Sequence, residues 1–187
     1  WLQRTYPSGT ARTADVTQEL TRICLRFEGH NPDAAPARER VRAEQDAERF
    51  LQDMRHFAGL LAERGRNAFG FLHLTFQEYF VGRALARFSP DERLAIIQPN
   101  LHDPRWREPI LLCAGQLGIV ENRRDQATAF VERIVAAGST HEILLHRDLF
   151  LATAMTADDV GLAAAVRDDL TERLDALALS AIPIVRD

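Results

Sequence analysis

The sequence predicts a mainly α-helical chain in two parts: helices closed by a short β-hairpin, then an α-solenoid of stacked helical pairs. Three observations carry this. Aliphatic residues recur at helical spacing over most of the 187 positions. Residues 60–73 break that spacing with two short apolar runs around Arg64-Gly65-Arg66-Asn67, a turn-forming tetrad. Beyond residue 102 the pattern is helical throughout, interrupted only by short turns. The division is drawn at 1–88 and 89–187.

In the first part, Trp1 to Tyr6 reads as a helix tail closed by Pro7-Ser8-Gly9. Asp15 to Phe27 is a second helix, with Val16, Leu20, Ile23, Cys24 and Phe27 on one face. Gly29 to Pro36 is a loop dense in helix breakers. Val41 to Phe57 is then a charged amphipathic helix, with Phe50, Leu51, Met54 and Phe57 inward. Strands follow over Leu60 to Ala62 and Ala68 to His73. Helices followed by a hairpin make a winged helix, the hairpin being the wing.

In the second part, Asp103-Pro104 opens a helix that stops at Gly118, with Pro109 forcing a late start or a kink. Asp125 to Ala137 follows, stopped by Gly138. Ser139 to Glu142 forms a capping-box pattern opening the helix Ile143 to Met155. Thr156 to Asp159 opens the last one, with Val160, Ala163, Val166, Leu170, Leu174 and Leu177 inward. Helices of this length joined by short turns fit HEAT-like pairs, although no letter-by-letter repeat is present.

Composition excludes several classes. A net charge of −4 points to neither a nucleic-acid nor a membrane surface. No apolar run approaches the roughly 18 residues that span a bilayer. Cys24 and Cys113 are the only cysteines and form no disulfide or metal pattern, which fits a reducing cytoplasm. All 23 basic residues are arginine. A phosphate-binding P-loop needs a lysine on the terminal phosphates, so this chain is expected not to hydrolyse nucleotides by itself. Neither Trp1-Leu2-Gln3-Arg4 nor the apolar run ending at Asp187 reads as a natural terminus.

The densest chemistry lies in Phe69-Gly70-Phe71-Leu72-His73-Leu74-Thr75-Phe76-Gln77-Glu78-Tyr79-Phe80. An extended run places Phe69, Phe71 and His73 on one face. Thr75 as N-cap with Glu78 at N3 completes a capping box for a helix Phe76 to Arg87. Phe76, Tyr79, Phe80, Ala84 and Leu85 then pack back onto the hairpin. His73 precedes that helix by two residues, at its positive end, where an anion such as phosphate is favoured. Taken alone, His73 reads more readily as a histidine satisfied by a neighbouring carbonyl at the edge of a core.

This stretch resembles the signature near the end of the regulatory winged helix in NACHT-type signal-transduction NTPases, the bacterial relatives of animal NOD-like receptors. Tyr6 to Gly9 and Gly59 to Gly65 are similar to the turn and wing strand of those domains, and Trp106 to Gly115 and His146 to Ala152 to the helices after them. Val81-Gly82 stands where a pair of alanines is usual, and Pro109 replaces an aliphatic. Gly82 should loosen its helix by roughly 1 kcal/mol unless a neighbour packs close. The resemblance implies that His73 contacts the phosphate of ADP, supported by Phe71, Thr75, Phe76, Gln77 and Glu78. It implies a NACHT ATPase core in cis before Trp1, carrying ADP or ATP with magnesium. It also implies a protein trigger on the helical region, oligomerisation on activation, a cytoplasmic location and a role in antiphage defence.

Other patterns carry less. His141 and His146 are five apart, not the four that turn two histidines toward one zinc, so no metal is expected there. Arg64 and Arg66 in the wing leave open a DNA reader. Against it, Arg42, Arg49 and Arg55 are interleaved with Glu44, Asp46, Glu48 and Asp53, four carboxylates that a line of phosphates repels. A plain helical scaffold is the third possibility.

Overall fold

The structure is a computed structural model and describes residues 1–54 and 59–179. Phe57, Arg55 and the apolar run over residues 181–185 therefore lie outside the described residues. The chain divides into two compact units, Trp1–Gln77 and Glu78–Asp187.

The first unit opens with α1 (Leu2–Thr5), β1 (Thr10–Arg12), α2 (Thr13–Phe27) and α3 (Ala37–Asp53). The wing follows as β2 (Leu61–Glu63) and β3 (Ala68–Phe71), and α4 (Leu74–Arg87) begins three residues later. The hairpin is antiparallel, with Ala62 opposite Gly70 and Glu63 opposite Phe69. Its turn uses left-handed backbone at Gly65 (φ +78°) and Asn67 (φ +59°).

Strand β1 is an addition to the sequence reading. It pairs antiparallel with β3, Thr10 opposite Gly70 and Ala11 opposite Phe69, so β3 is central in a three-stranded sheet. Gly70 makes this possible. A Cβ there would stand 2.8 Å from the Gly9 carbonyl oxygen, inside any real contact.

Helices α2 and α3 pack on each other through Leu25, Ala35 and Ala43, all buried. The expected inward face of α2 is corrected: Ile23 is 38% exposed and Phe27 90%, while Leu25 is at 1%. Small alanines on α3 at 43 and 47 let the helices approach, and that approach turns Leu25 inward. On α3, Leu51 is buried as expected, but Phe50 is largely exposed.

The second unit contains the rest of α4, then α5 (Pro90–Ile97), α6 (Pro104–Gly115), α7 (Arg124–Val135), α8 (Glu142–Leu145), α9 (Arg147–Ala157) and α10 (Ala164–Ala178). Helices α6, α7 and α9 pack on one another, α5 packs on α7, and α10 on α9. That is the stacking of an α-solenoid. The core includes Ile97, Trp106, Ile110, Cys113, Leu117, Val131, Ile134, Leu149, Met155 and Leu170. Burial pushes the Cys113 thiol up to about 12, so it packs as a small hydrophobe.

Several helix boundaries differ from the sequence reading, each for a local reason. Helix α5 was not foreseen, although Ser89 and Glu92 form a complete capping box ahead of it. Helix α6 starts on Pro104 with Asp103 as N-cap and runs through Pro109 to Gly115, without a late start. A π-type turn over Gln116–Val120 then carries the chain past Gly118 instead of stopping there. A Cβ on Gly118 would fall 1.8 Å from the Val160 carbonyl oxygen, so glycine is required by close approach.

The helix expected from Ile143 to Met155 is split at His146, which takes left-handed backbone (φ +48°). Glu142 caps the second piece: its carboxylate accepts from the backbone amides of Asp148 at 3.0 Å and Leu149 at 3.2 Å. Val160 lies in the connection before α10, where it is buried. Among the described residues no helix is long and apolar enough to cross a membrane.

Candidate functional site

The wing strand ends at Phe71, and the chain bends over Leu72-His73 directly into α4. His73 is therefore not on a strand face but immediately precedes Leu74, the first residue of α4. Its carbonyl accepts from the Phe76 amide at 3.1 Å, closing the first turn. The imidazole is exposed and leans on Phe76, ring centroids 5.9 Å apart and planes tilted by 55°. Leu72, Leu74 and Phe76 around it are 42%, 62% and 37% exposed, a patch of apolar surface flanking one imidazole.

Hydrogen bonds from both sides hold the segment that carries this ring. The Leu72 amide donates to the Leu60 carbonyl at 2.8 Å, extending the hairpin by one bond. The Arg64 guanidinium donates to the carbonyls of Phe71 at 3.1 Å and Leu72 at 2.7 Å. Arg64 was a candidate DNA contact, yet its Nη2 is bonded to the two residues that precede His73. On the other side, Gln77 is 5% exposed and its amide donates to the side chain of Gln3 on α1. The wing tip and α1 therefore both hold the segment that presents His73.

Of the proposed supporting residues, Phe71 and Gln77 sit in this mount and Phe76 touches the histidine. The capping box expected from Thr75 and Glu78 is not formed. The helix starts at Leu74, one residue before Thr75, so Thr75 lies within the first turn and is exposed. Glu78 is half-buried, and burial raises its carboxyl pKa, with the charge of Glu108 adding to the rise. Tyr79 and Phe80 are 42% and 38% exposed, while Gly82, Leu85 and Ala86 form the buried stripe of α4 in the second unit. At 3.6 residues per turn, Phe80 falls on the far side of the helix from Gly82.

At Gly82 the backbone of α4 lies close against α6. A Cβ there would meet Leu112 Cβ at 2.7 Å, the Pro109 carbonyl oxygen at 3.0 Å and the Cys113 amide nitrogen at 3.1 Å. The departure from alanine noted in the sequence is thus matched by a close neighbour. The end of α4 is held by Arg93, 1% exposed, which donates to the carbonyls of Leu85 (3.0 Å), Ala86 (3.2 Å) and Phe88 (3.0 Å). Its guanidinium also lies 5.4 Å from the centre of the Phe130 ring. Nothing in the letters around Arg93 distinguished it from a surface arginine.

A serine, a histidine and an aspartate meet in the second unit. His102 Nε2 lies 2.6 Å from Asp148 Oδ1 and 2.9 Å from Ser139 Oγ. Ser139 donates to Asp148 through both its hydroxyl (2.6 Å) and its amide (2.9 Å). The hydroxyl proton is committed to the carboxylate, and one imidazole nitrogen faces both partners. A nucleophilic triad instead needs the aspartate on the opposite ring nitrogen. The group is a polar staple around a fully buried carboxylate.

Helix α3 carries four arginines and five acids. A groove of about 990 Å³ lined in part by α2, α3 and the wing residues Arg66 and Asn67 is faced by Glu44 and Glu48. Arg12, Arg22, Arg40 and Arg66 line the same groove, so it carries both signs of charge and is not the uniformly basic surface of a phosphate-backbone reader.

No curated protein and no solved structure matches this chain. A family model does, over residues 13–85: the winged helix-turn-helix domain C-terminal to NACHT. That span covers α2, α3, the wing, His73 and most of α4. Sequence signature, three-stranded wing and family match agree: this chain contains a NACHT-associated winged helix.

Proposed function

We propose that this chain is the regulatory winged helix and the beginning of the helical sensor of a bacterial NACHT-type signal-transduction ATPase. In this reading the winged helix holds the ADP-bound off state, with His73 as the contact to the ADP phosphate. The observation that carries it is the placement of His73: an exposed imidazole at the positive end of α4, on a segment bonded to both the wing and α1. An imidazole there suits a phosphate oxygen as hydrogen-bond partner. The exposed Leu72, Leu74 and Phe76 suit burial against another protein module, which fits a NACHT core in cis. Such a core would carry the P-loop lysine that this sequence lacks, together with ATP or ADP and magnesium.

The chain's own part is mechanical. Its mount keeps His73 in register while the solenoid helices offer surface to a protein trigger. Trigger capture would draw the winged helix from the nucleotide, permit exchange and free the ATPase to oligomerise, in the cytoplasm and in defence against phage. The test is His73→Ala in the protein that carries both this chain and its NACHT core. Raised basal signalling with lowered ADP content is expected. Wild-type autoinhibition and nucleotide content would reject the assignment.

A further inference from the structure

We infer that Glu28, His30 and Glu39 form a divalent-cation site, suited to zinc, that clamps the end of α2 to the start of α3. One ligand atom from each of the three side chains lies within 4.8 Å of the other two. A histidine nitrogen with two carboxylate oxygens is a donor set that zinc accepts at about 2.0–2.2 Å, with water in the fourth position. The imidazole favours zinc over magnesium or calcium, which prefer all-oxygen shells. Glu28 is exposed and carries a long side chain free to turn toward the other two ligands.

The backbone fixes where these ligands stand. Glu28 is the C-cap of α2, and its amide donates to the Cys24 carbonyl at 3.1 Å. Gly29 then takes left-handed backbone (φ +81°), and the His30 amide returns to the Leu25 carbonyl at 2.8 Å. Glu39 sits in the first turn of α3. Two carboxylates thus converge on one imidazole from two helix ends. Arg42 stands 3.6 Å from Glu28, a long ion pair with a largely exposed arginine that offsets only part of their repulsion. A bound dication neutralises both carboxylates. It would also cross-link a helix junction whose buried residues, among those described, are mostly small, Leu25 with Ala35, Ala43 and Ala47, a circumstance in which a small unit gains from a metal clamp.

The test titrates zinc ions into the 187-residue chain against a chromophoric zinc chelator, with thermal melts in parallel. One zinc per chain is expected, binding at least tenfold more weakly in His30→Ala and in Glu39→Gln. Zinc should raise the melting temperature of the wild type and not that of the variants. Both substitutions are off the buried core, and circular dichroism confirms their fold. Absence of stoichiometric zinc binding overturns the site. Equal affinity in wild type and both variants also overturns it, by assigning the zinc to other groups such as His141 or His146.

Discussion

Gly82→Ala sets two opposing effects against each other at the crossing of α4 and α6. Glycine in a helix interior costs about 1 kcal/mol relative to alanine, so on propensity alone the substitution should stabilise. The new Cβ, however, would lie 2.7 Å from Leu112 Cβ, with backbone atoms of Pro109 and Cys113 at 3.0 and 3.1 Å. None of these is the free end of a flexible chain, and Cys113 belongs to the fully buried core. Overpacking of this kind typically costs about 1–3 kcal/mol. Contact wins, leaving a net loss of up to about 2 kcal/mol, which in a chain of this length lowers the melting temperature by up to roughly 4–8 °C. Gly115 supplies the control. It ends α6 with ordinary helical backbone and nothing within 4 Å of an added Cβ, so Gly115→Ala should raise the melting temperature. Thermal melts followed by circular dichroism decide between the effects. A higher melting temperature for Gly82→Ala would refute the close approach of α4 and α6.

Two further perturbations test the supports of α4. Arg93→Ala takes the guanidinium from the carbonyls of Leu85, Ala86 and Phe88, two of which keep a weaker donor, and opens a void, so urea denaturation should show a loss of about 2–4 kcal/mol. Arg93→Lys should recover little of that loss, because one ammonium does not reproduce the guanidinium fork. For Glu78, burial and then Glu108 raise the folded pKa above the unfolded value. Its unfavourable contribution is therefore absent in acid below the unfolded value of about 4.3, and appears as pH rises through the folded pKa. Glu78→Gln should stabilise the chain at pH 7 and change nothing near about pH 3.5. A gain of equal size at both values would contradict this origin.

Much of the architecture was legible because it rests on local chemistry. The wing could be placed from the Arg64-to-Asn67 turn and its flanking apolar runs, and α2, α7 and the α2–α3 loop from periodicity and breakers. Strand β1 was not, since three residues carry no alternation of their own; its signal was Gly9 ahead of it and Gly70 opposite. Glycines misled where their role is tertiary. Gly118 reads as a helix stop, but it is glycine because Val160 sits against it. The charged end of α4 was equally opaque, because only the fold brings Arg93 to the carbonyls of Leu85, Ala86 and Phe88. At the candidate site, the histidine was legible from its signature. Phe71, Phe76 and Gln77 were among the supports read from that signature, whereas Thr75 and Glu78 fit a capping pattern two residues out of step with the observed helix start. Arg64 and Gln77, which do hold the segment, make contacts seven to seventy-four residues away in sequence.

The central claim is that His73 reads the nucleotide phosphate, and the rate of ADP release tests it most directly. The measurement follows fluorescent ADP leaving the NACHT-bearing protein, wild type against His73→Ala. A hydrogen bond to a charged group contributes about 1.5–3 kcal/mol, so release should be at least about tenfold faster in the variant. Equal release rates in the two proteins would contradict the account.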